Sequence, residues 1–141
     1  MVMKIGLLGA GNVGLSLGFA MKKKGLSLAG VNDIDPRKMQ EASAILECPK
    51  LATEDLMDNS EILMFAIPDD SIEKMYSELK SKIPEKTLLA HFSASLSSEV
   101  FDSAEFRLSA HPAQVFPYPR LEDDVFKDVS FALEGNPKAV A

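Results

Sequence analysis

Three glycines and a carboxylate carry the chemistry that is easiest to read in this chain. The opening segment Met3-Lys4-Ile5-Gly6-Leu7-Leu8-Gly9-Ala10-Gly11-Asn12-Val13-Gly14 places the spacing G-x-G-x-x-G directly behind an apolar run and ahead of an amphipathic stretch. In that context the pattern describes a turn that holds a pyrophosphate. Gly9 permits a tight exit from a strand, Gly11 leaves no Cβ in the path of the phosphates, and Gly14 lets the following helix pack closely on the strand. The free N–H groups of the first helical turn, aided by the helix dipole, then face the phosphates. Gly9, Ala10, Gly11, Asn12, Val13 and Gly14 are therefore the candidate pyrophosphate-binding residues. Asp33 lies 19 positions beyond Gly14. An acidic residue at about that distance accepts the ribose hydroxyls of a dinucleotide and repels a 2′-phosphate, which favours NAD over NADP. Arg37, one helical turn on, pulls the other way.

A second group is suited to proton transfer. His91 and Ser93 fall in Ala90-His91-Phe92-Ser93-Ala94-Ser95, and His111 falls in Ser109-Ala110-His111-Pro112-Ala113-Gln114. Both segments close predicted strands. A histidine can give or take a proton near neutral pH, as hydride transfer to a carbonyl or imine requires. Plainer readings stand beside these. Glycines also mark ordinary turns, Asp33 can be a loop aspartate, and either histidine can simply bond to nearby backbone.

The elements that must position these residues alternate between strand-like and helix-like. A helix with Val13, Leu15, Leu17, Ala20 and Met21 as its apolar positions ends at Lys22-Lys23-Lys24, with Gly25 as its C′ residue. Gly18, four residues after Gly14, keeps one face of it smooth. A second strand is predicted from Leu26 to Val31, followed by a helix with Asp35 as N-cap and Pro36 at N1. A short strand is expected near Lys50 to Ala52 and a helical turn at Thr53-Glu54-Asp55-Leu56. The apolar run Ile62 to Ile67 reads as a central strand buried on both faces. Pro68 ends that run, and Asp70 with Glu73 fits a capping box for a helix burying Ile72, Met75, Tyr76 and Leu79. Further strands are expected at Thr87 to Phe92, near Arg107 to Ala110, and near Val129 to Leu133. This order predicts an α/β domain with a doubly wound, mostly parallel sheet and right-handed crossovers, spanning residues 1–141. Ligands of such sheets bind beyond the carboxyl ends of the strands. Ile67 and Pro68 therefore join the candidates that line a bound cofactor.

Composition narrows the class. With 141 residues, 46% of them hydrophobic and 26% charged, the chain suits one soluble globular domain. A net charge of -6 argues against nucleic acid as the main partner, which would require a basic face. The single cysteine, Cys48, excludes an intrachain disulfide and fits a cytoplasmic setting. Neither a transmembrane run nor a metal-ligand cluster is apparent, the two histidines being far apart.

The glycine motif, Ala66-Ile67-Pro68-Asp69-Asp70, His91-Phe92-Ser93-Ala94, His111-Pro112-Ala113-Gln114-Val115-Phe116 and Phe131-Ala132-Leu133-Glu134-Gly135 together resemble a family of Rossmann-like oxidoreductases. Its N-terminal domain is similar to those of pyrroline-5-carboxylate reductase and deazaflavin-dependent NADP reductases. The resemblance implies a Rossmann nucleotide-binding domain, then a helical domain that completes the substrate pocket and forms dimers. Such a second domain is absent from this sequence, and the new helix suggested by Asn136-Pro137 points to a truncated chain. Family members tend to carry Ser or Asn followed by Arg after the second strand. Asn32 fits as a cofactor-binding residue, but Asp33 stands where the arginine would be, and Ala94 replaces a usual glycine.

The resulting expectation is the NAD(P)-binding domain of an oxidoreductase, with NAD slightly favoured and a small carbonyl or imine as substrate. His91, Ser93 and His111 would edge the nicotinamide pocket, with His111 as the proton carrier. The competing expectation is a stand-alone nucleotide-sensing or partner-binding module without catalysis. A flavin or S-adenosylmethionine on the same turn is a third.

Overall fold

The computed structural model describes residues 3–113, 116–122, 126–127 and 129–137. Six strands form one sheet in the order β2-β1-β3-β4-β5-β6, from β1 (Lys4–Leu8), β2 (Ser27–Asn32), β3 (Ile62–Phe65), β4 (Leu88–His91), β5 (Phe106–Pro112) and β6 (Phe131–Gly135). Every pairing from β2 through to β5 is parallel, and only β6 runs antiparallel, against β5. The chain leaves β1 toward β2 on one side and returns to β3 on the other, so the order reverses between β1 and β3. That reversal opens a crevice at the strands' carboxyl ends.

The apolar run of β3 is split between the two faces of the sheet, as the two-residue period of a strand demands. Met64 joins Leu7 and Val31 under α1 (Asn12–Lys23) and α2 (Pro36–Leu46), where Leu15, Leu17, Ala42 and Leu46 close the layer. Leu63 and Phe65 join Leu8 and Leu89 on the other face, beneath α3 (Thr53–Asp58), α4 (Asp69–Leu79) and a 3-10 turn at Ser98–Phe101. Leu56, Ile72, Tyr76 and Phe101 supply most of that second layer. Cys48 is part of the first layer, and burial pushes its thiol up against a weaker opposing pull from Lys22, so it stays protonated at neutral pH.

Local signals explain several boundaries. Asp35 caps α2 through Oδ1, which accepts the N–H groups of Arg37 (2.9 Å) and Lys38 (3.5 Å), and Pro36 occupies N1. Gly25 follows the C-cap of α1 with φ +84°, a backbone state that favours glycine. Two expectations are corrected. Lys50 makes only an isolated parallel bridge to Val31, so no strand forms there. The N-cap of α4 is Pro68 and no side chain caps it, because the helix begins one residue before Asp70 and leaves that residue inside the first turn. The capping box of Asp70 with Glu73 is therefore not formed. Lys138 to Ala141, where the helix expected from Asn136-Pro137 would continue, lie outside the described residues, as do Gln114 and Val115. Among the described residues no helix is long and apolar enough to cross a membrane.

Candidate active site

A cleft of about 630 Å³ sits at the carboxyl ends of β1, β2, β3 and β4, over the point where the strand order reverses. Gly9, Gly11, Asn12, Val13 and Gly14 line one wall, Asn32 and Asp33 one end, and Ile67, Pro68 and Ser93 the other side. Of the residues singled out from sequence, Ala10, His91 and His111 do not line it.

The three glycines share one neighbour. A Cβ on Gly9 would lie 2.4 Å from the Ala66 carbonyl oxygen, and one on Gly14 would lie 2.3 Å from the Ala66 Cβ. Gly11 is looser, its Cβ position being 3.4 Å from the Ala66 oxygen. Gly9 is also at φ +98°, so a side chain there would be strained as well as crowded. The turn is thus pressed against the end of β3, and the small side chain of Ala66 is part of the same fit. The first turn of α1 has no side-chain cap at Gly11, and Gly11, Asn12, Val13 and Gly14 line the cleft, so the helix begins there with N–H groups that no cap side chain takes up and that could serve an anion.

The N–H of Ala10 has another use. It donates to Asp33 Oδ2 at 2.8 Å, while the N–H of Asp35 donates to Oδ1 at 2.8 Å. Asp33 therefore ties the end of β2 to the glycine turn. A carboxylate has about four lone-pair sites, so each oxygen keeps one for a ligand hydroxyl. Asn32 is occupied in a different way, since its Nδ2 donates to the Leu51 carbonyl (2.7 Å) and its Oδ1 accepts from Thr53 Oγ1 (3.4 Å). Asn12 donates from Nδ2 to the Phe116 carbonyl at 2.9 Å. The Arg120 N–H donates to Ser16 Oγ at 2.8 Å, so the segment between β5 and β6 braces the start of α1.

The two histidines differ sharply. His91 has no solvent exposure, its Nδ1 accepts the Ser93 N–H at 3.1 Å, and its Nε2 donates to the Ser97 carbonyl at 2.9 Å. The ring also meets Phe101 edge-on at 5.5 Å. Both nitrogens are consumed in folding the loop after β4, the plainer of the two readings made from sequence. His111 is half-buried, and its Nδ1 lies 3.3 Å from the carbonyl oxygen of Phe92, a residue that lines the cleft. With Nδ1–H donating there, Nε2 is left as the acceptor.

Three features escaped the sequence reading. Lys38 and Ile34 line the Asp33 end of the cleft, Ile34 at 91% exposure. Lys38 is the third residue past the N-cap, and that spacing was a usable signal. Asp69 and Ser95, on separate elements, are joined by a 3.1 Å hydrogen bond that no spacing rule announces. No cluster of three or more His, Cys, Asp or Glu suited to a metal occurs among the described residues.

A mostly parallel sheet with helices on both faces and a glycine turn at its reversal point defines a doubly wound nucleotide-fold domain. The Rossmann-like domain family matches residues 1–112, and the chain belongs to that family. No curated protein matches the sequence. Among solved structures, a candidate NADP oxidoreductase from Bacteroides fragilis superimposes with a TM-score of 0.80 at 19% identity, over 98% of this chain and 54% of that one. The prephenate dehydrogenase of A. aeolicus, solved with hydroxyphenyl propionate and NAD+, gives 0.80 at 15% identity, over 98% and 52%. The 1-pyrroline-5-carboxylate reductase of Streptococcus pyogenes gives 0.74 at 18% identity, over 99% and 51%. At such identities the likeness is one of fold. The chain spans about half the length of these proteins.

Proposed function

We propose that this chain is the NAD(P)-binding domain of an oxidoreductase that moves a hydride to or from a small carbonyl or imine substrate. The observation that carries the reading is the cleft itself, with the uncapped start of α1 on one wall and Asp33 at one end. The fit to a dinucleotide rests on these donors and acceptors. The N–H groups beyond Ala10 suit a pyrophosphate, the spare lone pairs of Asp33 suit ribose hydroxyls, and exposed Ile34 offers an apolar surface for a base. Asp33 favours NAD, and Lys38 in the same part of the cleft provides the positive charge that would tolerate a 2′-phosphate.

A nicotinamide cofactor held in this cleft would supply or accept the hydride. This chain's part is to bind, orient and move a proton. His111 is the proposed proton carrier through Nε2, with Nδ1 anchored on Phe92. Ser93 edges the nicotinamide end, and His91 serves that end by fixing the Ser93 backbone. These solved structures are about twice as long as this chain; a helical second domain that completes the substrate pocket and pairs two copies is part of the proposal, and a cytoplasmic setting fits the single cysteine. The test is a fluorescence titration with NADH and NADPH. Binding with micromolar affinity is expected, and failure to bind either overturns the proposal. A marked preference for NADPH overturns the argument from Asp33.

A further inference from the structure

The loop after β4 carries a hydrogen-bond chain whose proton positions can be deduced. Ser95 Oγ donates to Asp69 Oδ2 at 3.1 Å. A hydroxyl has one proton, so Ser95 Oγ meets Ser93 Oγ, 3.0 Å away, only as an acceptor. Ser93 Oγ is therefore the donor in that pair. It also accepts the Ser95 backbone N–H at 3.1 Å. Its proton and one lone pair are spent, and one acceptor lone pair remains. Ser93 is 6% exposed and lines the cleft, and the grip of His91 on its N–H holds the backbone in place. Asp69 stands in the first turn of α4 and is the acceptor at the end of the chain.

We infer that Asp69 and Ser95 are positioning residues that lock Ser93 Oγ as a hydrogen-bond acceptor, and that this acceptor selects the carboxamide N–H of a bound nicotinamide. The inference rests on the dinucleotide reading above. With ribose at Asp33 and pyrophosphate at the glycine turn, the far half of the ligand runs past Ile67 and Pro68 to Ser93. The nicotinamide ring system carries its N–H donors only on the carboxamide. If the chain is cut, Ser93 Oγ is free to rotate and donate, so it accommodates a carbonyl as readily as an N–H.

The experiment compares NAD+, its 3-acetylpyridine analogue and ADP-ribose by calorimetric titration. The analogue has a methyl ketone in place of the carboxamide, and ADP-ribose lacks the nicotinamide ring. The full chain is expected to bind NAD+ about tenfold more tightly than the analogue, the scale of one lost hydrogen bond. Ser95→Ala and Asp69→Ala, both at exposed positions, are expected to bring the two affinities within about twofold while ADP-ribose binds as before; Ser95→Thr, which keeps the hydroxyl, restores the difference. Equal affinities in the unaltered chain, or a preference that survives both alanine variants, overturn the inference alone. Failure of the unaltered chain to bind any of the three overturns the dinucleotide reading and the inference with it.

Discussion

Replacing Gly14 with alanine tests the packing on which the whole cleft depends. By local propensity the change should help, because alanine in a helix is worth about 1 kcal/mol more than glycine. The tertiary fit opposes it. The new methyl would lie 2.3 Å from the Ala66 Cβ, with Leu7 Cδ1 next at 3.4 Å. Nonbonded carbons rest at about 3.5–4.0 Å, so at least roughly 1.2 Å must come from movement of α1 or of the turn after β3. Neither methyl is the end of a flexible side chain, so the backbone has to move. That sets the overpacking cost near the top of its usual range, about 3 kcal/mol. The balance is a net loss of about 2 kcal/mol, or a fall in Tm of roughly 6–10 °C for a domain of this size. The assay is reversible thermal unfolding by circular dichroism, run as a double-mutant cycle with Ala66→Gly. The double variant should recover at least about 1 kcal/mol relative to additivity, because it removes the second methyl of the clash. If Gly14→Ala leaves the Tm unchanged or raises it, α1 is not pinned against β3 and the account of the motif given above is wrong.

Three further outcomes are expected. Asp33→Asn loses one of two charge-assisted bonds and turns an amide N–H toward a backbone N–H; it should lower stability by about 2 kcal/mol and lower the NADH-to-NADPH affinity ratio about tenfold. Calorimetric titration checks this, and parallel changes in both affinities would remove Asp33 as the discriminator. His91→Ala strands the Ser93 N–H and the Ser97 carbonyl and opens a cavity, so urea unfolding should show a loss of roughly 3 kcal/mol. A loss well under about 1 kcal/mol would show that the ring does not organise the loop. Glu134 accepts the side-chain and backbone donors of Ser98, both at 2.6 Å, and these hold its carboxyl below the ordinary 4.5. A depressed pKa gives stability that is fully present above the unfolded-state value and is lost as pH falls through the folded one. Thermal scans should therefore lose stability from about pH 4.5 downward in the unaltered chain, and Glu134→Ala should be less stable at pH 7 with a flatter acid limb; an identical acid limb in the two would dismiss Glu134 as a contributor.

Apart from the strand expected at Lys50 to Ala52, which is only a lone bridge, and the 3-10 turn at Ser98–Phe101, the sequence by itself determined the element order, the layers and the place of the glycine turn. These follow from short-range rules: the two-residue period of Leu63, Met64 and Phe65, the Asp35-Pro36 cap, and glycine at a positive φ. It also gave His91 a place at the edge of the nicotinamide pocket, with a plain bond to nearby backbone as the other reading, since an imidazole suits both. The tertiary structure buries the ring and gives both of its nitrogens backbone partners, with Ser97 and Phe101 around it. The bond between Asp69 and Ser95 was not legible for a related reason. It spans 26 residues and exists only because β3 and β4 are neighbours whose ends open on one cleft. The glycines show the division most clearly. Their spacing announced a turn for phosphates, but why no side chain fits at Gly9 and Gly14 was decided by Ala66, brought against them from just beyond the end of β3, more than fifty residues away. A local pattern can specify a backbone shape, while the neighbour that makes the shape obligatory is known only once the sheet has formed.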